Sequence, residues 1–513
     1  MWHYRFSEPI QERPLIGDFE KYGPRGTGEF AFQLMGYVPA KFLTGQLLES
    51  WEVTPEKLVW HVRPGIMWQP GHTGIMEARE LTADDIVDRT LAFIPSPQGK
   101  TWIQYAGDVY AVDRYTLVIE FKKFSIDLMF YMGLEDRSQI PPPEERAPGI
   151  GDKWEQQAGT GPFMIKEYVV GSHMSYERNP NWWKTTTING VEYELPFIDE
   201  LVYPILPDDA TQVAALRTGK IDLHQMVPVS QWQTLETGTP ELLSAHYSFG
   251  GMAAAFNCAV PPLDKREVRR ALMIGTDLKT VAATQGLGPL PIDWYPAYIE
   301  NPDIYTPLEE LPAESQFLYD YNPELAKQML ADAGYPDGFP IVFNVVPYPQ
   351  LTEVASLLKD MWTKINVDVE VKVTERVTLH TIAYDQFNPT SYTGLCSWGD
   401  LIEVGNPTAS LVRMARTGGD CNFAKYSNKD YDELTDKIAT ELDITKRNLL
   451  IKEACGILID DPPYLPLYAE MRGHYWWPWL KNYYGEMTIG DGGFGAIAAY
   501  IWIDQDMKAD MGY

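Results

Sequence analysis

Asn322-Pro323-Glu324 opens a helix with apolar residues at Leu325, Met329, Leu330 and Ala333, and Gly334 closes it. A strand over 341–346 follows at once. An amphipathic stretch from Leu351 to Ile365 then leads into Val367 to Val373, whose alternating valines read as a second strand. Helix, strand, helix, strand at such short intervals implies an α/β sheet, and sheets of that kind gather ligands beyond their strand ends.

The rest of the chain keeps this style. Leu58, Trp60 and Val62 share one face of a strand that ends at Pro64-Gly65. Thr82 is placed to cap a helix with Asp85 at its third position, and residues 115–121 alternate again. Asp208 or Asp209 caps a helix through Val213 and Leu216 that stops at Gly219, after which Ile221-Asp222-Leu223 restarts as a strand. Asp264 is expected to cap a helix carrying Val268, Ala271 and Leu272. The joints Ile140 to Pro143, Val260 to Pro262 and Asp461 to Pro463 are short and resume apolar periodicity, so they read as turns between packed elements. No internal repeat of fixed period occurs.

With 513 residues, 45% of them apolar and 22% charged, the chain builds a large core and is neither disordered nor collagenous. No apolar run reaches the roughly 20 residues of a spanning helix. Acidic residues outnumber basic ones by 71 to 42, a net charge of −29 that repels phosphate backbones, so nucleic acid is not an expected partner. The four cysteines, Cys258, Cys396, Cys421 and Cys455, lie far apart. They form no metal-binding pair; up to two disulfides or four buried thiols fit them equally. Residues 1–6 lack a basic segment followed by an apolar one, so the expectation is either a cytosolic chain or one whose export signal has been removed.

Enzyme signatures are missing. The eight histidines include no i, i+4 pair, and there is no phosphate-binding loop. Gly490, Gly492 and Gly495 satisfy G-x-G-x-x-G, but only 18 residues follow, too few for a dinucleotide unit, and the stretch reads as a flexible turn. No cofactor and no metal are expected, and no carboxylate pair stands out for glycoside chemistry.

Several segments, in order along the chain, resemble one family. They are Leu47-Leu48-Glu49-Ser50-Trp51, Glu80-Leu81-Thr82-Ala83-Asp84-Asp85, Gly159-Thr160-Gly161-Pro162-Phe163, Glu177-Arg178-Asn179-Pro180-Asn181-Trp182-Trp183, Ala215 to Asp222, Phe256-Asn257 with Pro261 to Leu272, and Tyr321 to Gly338. Together they look like the extracytoplasmic solute-binding proteins of ABC transporters, family 5, the group with the dipeptide and oligopeptide receptors. The resemblance implies an α/β, two-lobed periplasmic-binding-protein-like fold with large mixed sheets and an interlobe ligand cleft that closes by hinge motion. Lobe I would span 1–250, with an inserted subdomain at about 40–160, and return over 469–513; lobe II would span 251–468. Strands over 247–257 and 464–472 would cross between lobes, with Gly250 and Gly251 as plausible hinge positions. The usual first strand can be placed only at Trp2 to Phe6.

The implied function is a receptor, expected to be a monomer, that captures a peptide or similar extended solute and delivers it to the membrane permease of an ABC importer. It would work in the periplasm or attached to the cell surface. In peptide-binding members an aspartate after a tryptophan holds the ligand's α-ammonium group, and Tyr392 to Asp400 is the matching region here. Asp400 is therefore the candidate anchor, with Trp398 and Tyr392 beside it, although the spacing is W-x-D where the family has W-x-x-D. Trp294 and Trp102, together with Trp398 and Trp476, are expected in loops, and Tyr22 is a candidate contact from the first lobe. With 16 Trp, 30 Tyr and 19 Phe, an oligosaccharide receptor on the same scaffold is the alternative, since flat rings also bind sugar faces. A hydrolase is the remaining class.

Overall fold

A computed structural model describes residues 4–33, 38–72, 74–96, 103, 105–135, 138–147, 149–150, 153–285, 303–385, 388–398, 400–402, 406–419, 421–490 and 493–513. The chain divides into two compact units, one of residues 1–247 and 472–513, the other of residues 248–471. The chain passes from one to the other within two long strands, Leu243–Phe256 and Tyr464–Trp476.

In the first unit, Leu48–Val53, Lys57–Val62, Thr116–Phe121 and Ala106–Asp113 form an antiparallel four-stranded sheet in that order. Leu58, Trp60 and Val62 all point into its core, as their period of two requires. The helix Ala83–Phe93 packs on this sheet. Its start is fixed by a capping box, in which the Thr82 N–H donates to Asp85 Oδ2 at 2.9 Å. A second sheet joins Phe163–Val169, His173–Arg178 and Glu200–Pro204, burying Phe163, Ile165, Met174 and Tyr176 with Ile10 and Ala498. The helix Asp209–Arg217 is capped by Asp208, which accepts from the Thr211 N–H at 2.8 Å. It buries Val213 and Leu216 against Trp477 and Trp479, whose rings stack at 4.3 Å.

In the second unit, Phe339–Val345 runs parallel to both Val367–Val373 and Leu395–Ser397, and the helix Pro349–Thr363 makes the crossover between the first two. That helix buries Leu351, Val354, Leu358 and Trp362. Residues Ala255 and Phe256 pair antiparallel with Cys396 and Leu395 on the other side of the short strand. The helix Pro323–Asp332 starts at Asn322, whose side chain accepts from the Leu325 N–H at 3.0 Å.

Five details differ from the sequence reading. The helix over Arg266–Ile274 is preceded by Lys265 as N-cap without a side-chain cap bond, so Asp264 does not cap it. The Asp264 N–H instead closes a turn on the Val260 carbonyl. Residues Tyr4–Ser7 are helical rather than extended. The strand expected from Ile221 begins at Leu223, because the Ile221 N–H still bonds back to the Ala215 carbonyl of the preceding helix. Trp476 ends a strand, paired with Leu223, and is not in a loop. Gly495 opens a short helix, Gly495–Ala498, in place of a flexible turn. Cys258, Cys396 and Cys455 are thiols outside any disulfide, Cys396, Cys421 and Cys455 are buried, and burial pushes Cys396 and Cys455 up to about 12. Among the described residues no helix is long and apolar enough to cross a membrane.

Candidate ligand-binding site

The parallel strands of the second unit end at Val345, Val373 and Ser397, so their carboxyl ends lie along one edge. Crevices at such edges are where open α/β sheets bind ligands. Trp398 follows the last of these strands directly, and the helix Arg376–Ala383 starts three residues after Val373, bringing His380 to the same edge. The Trp398 ring centre lies 4.6 Å from that of His380 and 4.5 Å from that of Phe423, which meets it edge-on. Tyr384 lies nearly parallel to Trp398 at 6.3 Å and contacts Phe423 at 4.8 Å. Trp398 is 6% exposed and Tyr384 48%, so Tyr384 is the outer ring of this cluster.

Tyr392 is buried, and its hydroxyl donates to the Phe423 carbonyl at 2.5 Å. Desolvation raises that hydroxyl well above its ordinary value, which keeps it a donor. The structure thus brings Tyr392 and Trp398 together through Phe423, with Tyr392 committed to holding the loop. Lys425, at φ 52°, donates to the Asp385 carbonyl at 2.5 Å and lies 5.6 Å from the Tyr392 ring centre; burial lowers its ammonium. Asp400 begins the short strand Asp400–Ile402, paired with Met252, and the register shifts before the next pair, Gly251 and Ile402. Trp102 and Trp294 lie outside the described residues.

In the first unit Tyr22 is half-buried, edge-on to Phe42 at 5.2 Å with Lys21 Nζ 4.7 Å above its ring. A second group of residues there escaped the sequence reading. The strand Leu223–Pro228 pairs with the end of Tyr464–Trp476, and its register slips between His224 and Val227. The slip is a bulge that holds Met226 at φ 67°, a left-handed conformation rare for a side chain of that size. Facing it are His474, Tyr247 and Tyr483: Tyr247 lies edge-on to His474 at 4.7 Å and its hydroxyl donates to Met226 Sδ at 3.1 Å. The Tyr483 hydroxyl donates to the Glu486 carbonyl at 2.9 Å, so it accepts from His474 Nδ1–H at 2.7 Å. The Nε2 of His474 is then a bare acceptor, buried and without a hydrogen-bond partner among the described residues; the His224 Nε2 atom and the Trp476 indole N–H, a donor, are likewise buried without a partner there. Burial pushes His474 down to about 3, so the ring is neutral. Atoms of this kind are satisfied by water or by a polar group of a bound molecule. Bulges and left-handed residues are not encoded in apolar periodicity, which is why Ile221-Asp222-Leu223 read only as a strand start.

Among the described residues no group of three or more His, Cys, Asp or Glu could hold a metal ion.

The family model described as bacterial extracellular solute-binding proteins, family 5 Middle, matches residues 43–415. The chain is 27% identical over 458 residues to heme-binding protein A of Haemophilus influenzae, covering 82% of this chain and 78% of that protein. It is 25% identical over 478 residues to the periplasmic oligopeptide-binding protein OppA of Escherichia coli, covering 85% and 81%. Among solved structures, HbpA2 from Haemophilus parasuis superposes with a TM-score of 0.75 at 20% identity, over 98% of this chain and 95% of that one.

Proposed function

The chain belongs to the bacterial extracellular solute-binding proteins, family 5, and we propose that it captures a peptide or similar extended solute outside the cytoplasmic membrane and passes it unchanged to the permease of an ABC importer. The fold is the α/β, two-lobed fold of that family. The relatives it matches are named as binding proteins, in keeping with a receptor rather than an enzyme.

What supports the peptide reading is Trp398, which directly follows a parallel strand at its carboxyl end, with Asp400 opening the next short strand. Asp400 is taken as the anchor for the solute's ammonium group, since a carboxylate and an ammonium ion match through charge-assisted hydrogen bonds. Tyr384 and Trp398 supply an aromatic wall in the second unit. One relative is named for haem, so haemin is a comparison ligand alongside oligosaccharides.

The test is a thermal-shift screen of di- to pentapeptides, cello- and manno-oligosaccharides, and haemin. A ligand at a hundredfold excess over its Kd adds about 2.7 kcal/mol of apparent stability. Peptides are expected to raise the Tm; a shift with sugars or haemin alone refutes the peptide reading. Asp400→Ala is expected to weaken amine-bearing peptides by roughly 2 to 5 kcal/mol, and unchanged affinity removes Asp400 from the site.

A further inference from the structure

Where the strand Tyr464–Trp476 ends, its register with Leu223–Pro228 pairs Tyr475 with His224 and Gly473 with Val227, so the bulged residues Gln225 and Met226 stand opposite His474 alone. His474 and Trp476 are two residues apart on that strand, and their side chains leave the same face about 7 Å apart. Tyr483 joins them there: its ring meets Trp476 edge-on at 5.0 Å, and its hydroxyl lies 2.7 Å from His474 Nδ1. Tyr247, edge-on to His474, closes the group against Met226. All of these residues belong to the first unit.

The unpartnered atoms here have fixed roles. His474 Nδ1 donates to Tyr483, so Nε2 on the far side of the neutral ring can only accept, while the Trp476 indole can only donate. A carboxylate would leave the acceptor unmatched, and an ammonium ion would leave the donor unmatched. Glu486, whose carbonyl holds Tyr483, pairs its own carboxylate with Arg25. A single water or hydroxyl at ordinary hydrogen-bond distance from both atoms spans at most about 6 Å, whereas an amide carries its donor and its acceptor on separate atoms. Residues 223–226 are only half-buried, so the pair is approached from the bulge, where Met226 holds its left-handed backbone. Backbone strain of this kind gathers at ligand clamps.

We propose that the first unit carries a subsite for an uncharged amide group at this bulge, with His474 Nε2 accepting from the amide N–H and the Trp476 indole N–H donating to the amide carbonyl. The assignment rests on the receptor reading for the source of that group, a peptide bond or a carboxamide side chain of the solute. Filling the subsite gives two buried polar atoms their missing partners, and a group lacking the N–H leaves the His474 acceptor bare.

The test follows the Trp476 indole N–H resonance of the intact protein by nitrogen-15 NMR, assigned with Trp476→Phe. Three probes are titrated: N-methylacetamide for a peptide bond, acetamide for a carboxamide side chain, and methyl acetate, which keeps the carbonyl and lacks the N–H. At least one amide is expected to shift the resonance saturably, the tighter of the two identifying the source. Methyl acetate is expected to bind about fivefold more weakly or worse, and His474→Phe to abolish that preference. With the native protein alone, a resonance that no amide moves, or an ester that binds as tightly as the amides, overturns the proposal. A peptide-induced rise in Tm with a silent Trp476 refutes this subsite alone, and an amide response without any peptide-induced rise refutes the peptide reading alone.

Discussion

Glu12 and Trp183 stand 171 positions apart, and the indole of the second donates to the carboxyl of the first at 3.1 Å. With Trp182 donating to the same group, this contact explains why two tryptophans follow Asn179-Pro180. The Asn179 side chain donates to the Gly161 carbonyl at 2.8 Å, so two of the segments that carry the family resemblance pack on one another around residues 9–12.

Trp183→Phe leaves a smaller aromatic ring and removes one donor from a buried carboxyl. A loss of roughly 1 to 2 kcal/mol is expected, read as a lower urea midpoint at an unchanged slope.

Gly159 is forced by the same seam, since a Cβ there would lie 1.7 Å from the Ile10 carbonyl oxygen. Gly159→Ala is expected to cost about 3 kcal/mol or more. Gly456, inside the helix Ile444–Asp460, has open space around it. Gly456→Ala is expected to stabilise by roughly 0.5 to 1 kcal/mol. Thermal unfolding of the two variants should therefore move in opposite directions.

Stability should fall as pH rises from about 6.5 to 8. The folded protein binds protons at Glu12 and Glu145 more tightly than the unfolded chain does, so their contribution is complete below the ordinary carboxylate range and is lost through about 7 and about 8. His474 works the other way: held neutral down to about 3, it contributes stability above the ordinary histidine value and loses it as pH drops below that value. At one proton per group the decline from pH 6.5 to 8 is on the order of 2 to 3 kcal/mol. Urea titrations at pH 6.5 and 8 measure it, and equal stabilities would contradict it.

The aromatic cluster separates packing from contact. Trp398→Ala empties a buried site and is expected to cost about 3 to 5 kcal/mol. Tyr384→Ala removes an outer ring and is expected to cost about 1 kcal/mol or less, while weakening peptide binding in a titration of the folded variant.

Local chemistry was legible in the sequence wherever neighbours in the chain do the work. Thr82 with Asp85, the Asn322 cap, the alternation over 57–62 and the valines over 367–373 all act within a few residues, and each has its expected form. Asp264 shows the limit: its place before an apolar repeat fits a cap, but the backbone takes one more turn and leaves Lys265 at the helix start. The partners of Trp182 and Trp183 lie at the other end of the unit, and apolar spacing carries no information about them. The candidate site divides in the same way. Trp398 and Tyr392 were found by motif, whereas Tyr384, His380 and Phe423 become neighbours only when the carboxyl ends of three strands come together. The bulge at Met226 has no local signature at all.

The most direct measurement is equilibrium dialysis of the purified chain against a mixed di- to pentapeptide pool, followed by mass spectrometry of what is retained. One peptide held per chain, recovered at its original mass after denaturation, is the predicted result. Cleaved products, or no retained peptide at any pool concentration, would contradict a receptor that grips its cargo and lets it go intact.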